Sequence, residues 1–177
     1  MKTKVLLLHG WGGSDFPHWQ SWLAGEIAKN YGTLSFIKLG DFEFPEKKEW
    51  MNTLKKEMQE FKPDVVVTHS LGSILWLHLC NEEEIEPVQK LYLVAPPRLE
   101  CKIKELSSFF PLKAPKNLYA KEALLITSNT DPYISPTEAK KLQQQLNIEM
   151  KVLDDAGHIN AQSNYGEWPW ILKELLG

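Results

Sequence analysis

The chain has 177 residues, 43% hydrophobic and 24% charged, the make-up of one ordinary globular domain with a sizeable core. A net charge of −3 with no long like-charged block gives no electrostatic basis for binding nucleic acid or an anionic membrane. No apolar run is long enough for a signal-peptide core or a membrane span, and two cysteines, Cys80 and Cys101, are too few for a disulfide framework, so a cytoplasmic protein is expected.

Lys4–Leu8 reads as a first apolar strand, followed by the glycine-rich loop His9-Gly10-Trp11-Gly12-Gly13-Ser14. Trp19–Lys29 has helical spacing, with Trp19, Trp22, Leu23 and Ile27 on one side. Thr33–Lys38 is a second strand. Pro45 opens a helix that runs to about Phe61 through Trp50, Leu54 and Met58. Val65-Val66-Val67 begins a strand of β-branched residues, buried on both faces. His69, Ser70 and Leu71 make a sharp turn, and a helix follows from Gly72 to Cys80. Gln89–Val94 is a fourth strand and Ala123–Thr127 a fifth. Ser135-Pro136 with Glu138 starts a helix through Leu142 and Leu146. Ile148–Leu153 is a sixth strand, and Glu167–Leu176 a last helix.

Strands alternate with helices, so the expected fold is α/β: one domain with about six mostly parallel strands, helices on both faces and right-handed crossovers. Arg98–Lys121 lacks periodicity and contains Phe109-Phe110-Pro111 and Pro115. It admits two readings. One is a short cap whose phenylalanines line a substrate pocket, and the other is an irregular crossover whose phenylalanines pack on the sheet.

Strand, tight turn with a central serine, and helix is the layout of a nucleophile elbow. The turn lifts the Ser70 hydroxyl out of the backbone path, and Gly72 lets strand and helix approach closely. Thr68 stands where G-x-S-x-G has its first glycine. The competing reading makes Ser70 only a helix N-cap.

Ligands of parallel sheets bind beyond the C-terminal strand ends. Ser70 follows the third strand, Asp131 the fifth and His158 the sixth, which is the α/β-hydrolase order. A serine hydroxyl needs an imidazole to take its proton, and the imidazole needs a carboxylate to orient it. Asp131 before Pro132 could be only a turn former, and Asp154 and Asp155 are rival carboxylates close to His158 in sequence. His9, His18 and His69 precede the serine, and His78 lies within the elbow helix.

Asp15 stands at the last glycine position of G-x-G-x-x-G, and no P-loop lysine is present, so the glycine loop does not read as a phosphate site. It suits an oxyanion hole, with the N–H of Trp11 pairing that of Leu71. His9, Gly10, Gly12 and His69 are expected at the substrate site, His9 bracing its loop through hydrogen bonds. Trp11, Trp19, Phe109 and Phe110 are expected as aromatic walls favouring short or medium acyl groups. No spacing suggests a metal ligand set, and no cofactor is expected.

His9–Ser14 with Trp19 and Trp22, Ser70-Leu71-Gly72 after His69, Asp131-Pro132-Tyr133, Gly157-His158-Ile159-Asn160 and Tyr165–Pro169 together resemble the small serine hydrolases related to retinoblastoma-binding protein 9 and the bacterial YdeN-like proteins. The resemblance spans nearly the whole chain. It implies a compact α/β-hydrolase fold without a large lid, and a triad of Ser70, Asp131 and His158. Thr68 is a departure at a position where such proteins vary. The expected function is hydrolysis of a small carboxylic ester, or an amide, with a small-molecule substrate and no protein partner indicated. Peptidase and thioesterase chemistry stay open within that class. The reading from another class is a ligand- or protein-binding module on a hydrolase fold.

Overall fold

The computed structural model describes residues 3–30 and 32–176. Six strands, β1 (Lys4–Leu8), β2 (Thr33–Ile37), β3 (Val65–His69), β4 (Val88–Val94), β5 (Ala120–Ser128) and β6 (Glu149–Leu153), form a parallel sheet in the order β2-β1-β3-β4-β5-β6. Between and after them run α1 (Trp19–Lys29), α2 (Lys47–Phe61), α3 (Leu71–Glu82), α4 (Pro136–Leu146) and α5 (Pro169–Leu176).

Alternation along the strands sorts the core into two layers. Leu6, Leu8, Val66, Leu91, Leu93 and Leu125 face α2, α3 and α4. Val5, Leu7, Val65, Val67, Tyr92, Val94 and Ile126 face α1 and α5. The central strands are therefore apolar on both sides and read as continuous hydrophobic runs. β5 begins at Ala120, three residues before the expected Ala123. Its start carries Lys121 and Glu122, whose polarity hides it from a reading based on apolar runs, although Glu122 pairs in register with Lys90.

α3 is buried from Leu71 to Cys80, all round its circumference. Such a helix needs a cover on its outer side. The segment after β4 supplies it: Leu106, Phe109, Leu112 and Leu118 join the α3 layer. His78 Nε2 donates to the Phe109 carbonyl at 2.8 Å, and Trp76 Nε1 to that of Leu118 at 3.2 Å. Much of Arg98–Lys121 thus packs on α3, with one 3₁₀ turn at Lys104–Phe109.

β2 and β3 lie on opposite sides of β1. The loops after β1 and β3 thus diverge at a topological switch point, where parallel sheets open a crevice. No helix among the described residues is long and apolar enough to cross a membrane.

Candidate active site

Ser70 sits between β3 and α3 with φ 51°, a left-handed backbone unusual for a side-chain-bearing residue. Its amide donates to the Val94 carbonyl at 2.9 Å, which pins the turn to β4. The crossing with β1 is tight. A Cβ on Gly10 would stand 2.9 Å from Ser70 Cβ, and one on Gly72 would stand 2.6 Å from the His9 carbonyl oxygen. Thr68 meets no such conflict. Its buried hydroxyl donates to the Tyr92 carbonyl at 3.1 Å and accepts from Ser73 Oγ at 2.6 Å, so it braces β3 against β4.

The Ser70 hydroxyl makes no capping bond to α3. It lies 2.8 Å from His158 Nε2. His158 Nδ1 lies 2.9 and 3.1 Å from the two carboxylate oxygens of Asp131. The Asp131 side chain has no exposure to solvent, and its Oδ1 also accepts the Tyr133 amide at 2.9 Å. The carboxylate is thus buried and hydrogen-bonded, as a group that orients an imidazole must be. Asp154 is exposed and accepts from Asn129 Nδ2, and Asp155 is exposed in a turn, so the nearby carboxylates point elsewhere.

The loop carrying His158 is fastened to the loop carrying Asp131 by two hydroxyls. Ser128 Oγ accepts the Ala156 amide, and Thr130 Oγ1 accepts the Gly157 amide, both at 3.1 Å. Ser163 Oγ accepts the His158 amide at 3.1 Å and would collide with a Cβ on Gly157. Gln20 is buried behind the glycine loop. It accepts from Ser14 Oγ at 2.7 Å and donates to the Leu8 carbonyl at 3.0 Å. Sequence reasoning missed Ser128, Thr130, Ser163 and Gln20, because each acts through contacts between segments distant along the chain.

Beside the triad lies a cleft of about 440 Å³ lined by Trp11, Gly12, His69, Ser70, Leu71 and His158 together with Pro97, Ile103, Leu106, Tyr133 and residues of the 14–18 and 160–162 loops. The backbone N–H groups of Trp11 and Leu71 have no hydrogen-bond partner among the described residues, whereas that of Gly12 is occupied by the Phe42 carbonyl. Two unengaged donors on the cleft wall beside Ser70 suit a developing oxyanion.

Four expected pocket residues, and one suggested aromatic wall, lie elsewhere. His9 is buried behind β1, donating from Nδ1 to the Gly10 carbonyl and accepting the Leu39 amide at Nε2, so it braces the loop and has no edge left for a ligand. Burial also lowers its pKa. Gly10 packs against Ser70 beneath the cleft lining rather than in it. Phe109 and Phe110 pack in the α3 layer, because that helix requires an apolar cover. Trp19 is fully buried between the sheet and Trp168, its Nε1 donating to the Ile159 carbonyl at 2.8 Å. The residues that Arg98–Lys121 does contribute to the cleft are Cys101, Ile103 and Leu106.

The sequence matches a family model described as serine hydrolase over residues 5–176. Among solved structures it is similar to the ydeN gene product of B. subtilis, with a TM-score of 0.87 and 19% identity over 99% of this chain and 97% of that one. It is similar to a YdeN-like protein of Pectobacterium atrosepticum, with a TM-score of 0.75 and 24% identity over 98% and 89% of the two chains. It is also similar to the Pyrococcus furiosus esterase PF2001, with a TM-score of 0.61 and 17% identity over 99% and 81%. At these identities the likeness carries the fold. No curated protein matches the sequence.

Proposed function

Since this chain belongs to the serine hydrolase family, we propose that it hydrolyses small carboxylic esters through an acyl-enzyme on Ser70, with amides as a second substrate class. What carries this is the continuous alignment of Ser70 Oγ, His158 Nε2 at 2.8 Å, His158 Nδ1 and Asp131 Oδ2 at 2.9 Å. Ser70 Oγ attacks the ester carbonyl as its proton passes to His158 Nε2. Asp131 holds the imidazole tautomer and stabilises the imidazolium. The N–H groups of Leu71 and Trp11 receive the tetrahedral oxyanion. Collapse expels the alcohol, which takes its proton from His158. Water then adds to the acyl-enzyme by the same route in reverse, releasing the acid and restoring Ser70. Side chains and water complete this cycle without a cofactor.

The cleft has two unlike sides. Pro97, Ile103, Leu106 and Leu71 make an apolar wall on the α3 side. Asp15, Asn160 and Gln162 are polar residues of the same lining, and we assign them to the side of His158. His158 protonates the leaving group, so the alcohol belongs on the polar side and the acyl chain on the apolar side. The similar esterase fold of P. furiosus agrees with ester chemistry. Both cysteines are free, which suits the cytoplasm as its compartment.

A fluorophosphonate probe tests this reading directly. Ser70 should be labelled, Ser70→Ala should not, and wild type should turn over p-nitrophenyl acetate. Folded protein that neither labels nor turns over would favour a binding module instead.

A further inference from the structure

Two buried histidines beside the cleft take no part in the steps above. His18 caps α1, its Nδ1 accepting the Gln20 amide at 3.1 Å. In the neutral ring the proton therefore resides on Nε2. His69 Nε2 lies 3.1 Å from the His158 carbonyl oxygen. A carbonyl only accepts, so the His69 proton also resides on Nε2 and its Nδ1 is bare. One ring is left with a donor and the other with an acceptor. Both atoms, His18 Nε2 and His69 Nδ1, are buried and without a hydrogen-bond partner.

The two rings are neighbours, with centroids 4.7 Å apart and planes at 68°. Two imidazoles joined by a hydrogen bond of ordinary length have centres roughly 5 Å apart. Leaving a donor on one ring and an acceptor on its neighbour unmatched in a dry site is costly. Burial keeps both rings neutral, first by desolvation and then by the neighbouring histidines, and pushes His18 down to about 4.

We propose that His18 and His69 are positioning residues, a directed pair in which His18 Nε2–H donates to His69 Nδ1 and His69 Nε2–H holds the carbonyl of His158. The run of donors then goes from the first turn of α1 through both rings to the backbone of the residue that faces Ser70. Asp131 fixes the His158 ring, and the pair fixes its backbone. An anchor is needed there, since Ile159 immediately after it has φ 49°, a strained value for a β-branched residue. This inference rests on His158 being the base of the proposed reaction.

The test uses the full chain. His18→Asn keeps an oxygen to cap α1, since asparagine is a favoured cap, but is too short to reach His69. It should lower kcat on p-nitrophenyl acetate about tenfold with KM little changed, because small displacements of a base are felt mainly in the chemical step. His69→Leu, which keeps neither the donor for the His158 carbonyl nor the acceptor for His18, should lose more. In wild type, nitrogen-15 spectra at pH 7 should show both rings as Nε2–H tautomers, with a coupling through the hydrogen bond from His18 Nε2 to His69 Nδ1. The opposite tautomer in either ring, or no coupling, overturns the pair. An unchanged kcat in folded His18→Asn overturns the positioning role. Should wild type neither label nor turn over, the esterase reading falls. The coupling, and movement of the His158 ring signals in His18→Asn, still decide the pair.

Discussion

Gly72 leaves no room for a side chain beneath His9: a Cβ there would stand 2.6 Å from the His9 carbonyl oxygen and 2.7 Å from that of Leu8. Both neighbours are backbone at the end of the interior strand β1, so neither yields cheaply. The contact fixes how closely α3 crosses β1, and through that the distance from Ser70 to the Trp11 amide.

Gly72→Ala should therefore destabilise the fold by about 1–3 kcal/mol or more, the usual cost of overpacking, and depress esterase activity in the protein that still folds. Urea unfolding with a p-nitrophenyl acetate assay measures both. An unchanged midpoint would mean that the crossing is looser than these distances require.

Asp131→Asn should lower kcat/KM by roughly 10⁴-fold, the scale seen when a triad carboxylate loses its charge and the imidazole its tautomer. Asp154→Asn, at an exposed side chain bonded to Asn129, should stay near wild type. Steady-state kinetics of the two variants decide between the carboxylates. A large loss in the second alone would reassign the acid.

Much of this was legible because its signals are local. The apolar strands, the sharp turn at Ser70 and the order Ser70, Asp131, His158 each read from a few adjacent residues. The substrate walls did not. Phe109 looks like a pocket residue from its position in an irregular segment, yet the demand of α3 for an outer cover draws it into the core. That demand is a tertiary one, written partly in Leu71–Cys80 and partly in Leu106–Leu118, 31 residues on for the His78–Phe109 contact and 42 for Trp76–Leu118. Ile103 and Leu106 reach the cleft from the same segment because a 3₁₀ turn at Lys104–Phe109 redirects successive side chains, and no periodicity announced it. Thr68 read as a bulky exception, and only the Ser73 and Tyr92 partners show why it fits.

Stability should fall as pH drops from 7 to 5, before carboxylates titrate. His9, His18, His69 and His78 all have pKa values lowered, in each case first by burial. Unfolded, they bind protons near about 6.5. Below that value the unfolded chain holds more protons than the folded one, so stability is full above about 6.5 and is lost towards the folded values. For His18, lowered from 6.5 to about 4, the complete loss amounts to about 3 kcal/mol. Urea midpoints at pH 7.5, 6 and 5 should decline, and less steeply in His18→Asn. A flat series would show that these rings are solvated or already charged.

The acyl specificity should follow the residues that reach the cleft. Ile103 and Leu106 line its apolar side, whereas Phe109 is wholly buried away from it. Wild type should prefer short p-nitrophenyl esters, since each methylene accommodated adds roughly 0.8 kcal/mol, about fourfold in kcat/KM, only until the wall is met. Ile103→Ala and Leu106→Ala move that wall back, so the optimum should shift to longer acyl chains. Phe109→Ala should leave the optimum in place and instead cost about 3–5 kcal/mol of stability, as removal of a core aromatic does. The chain-length profile of kcat/KM, set beside the unfolding midpoint of each variant, separates the two roles. If Phe109→Ala shifts the optimum at unchanged stability, or if neither Ile103→Ala nor Leu106→Ala shifts it, the acyl chain does not run along the α3 side of the cleft.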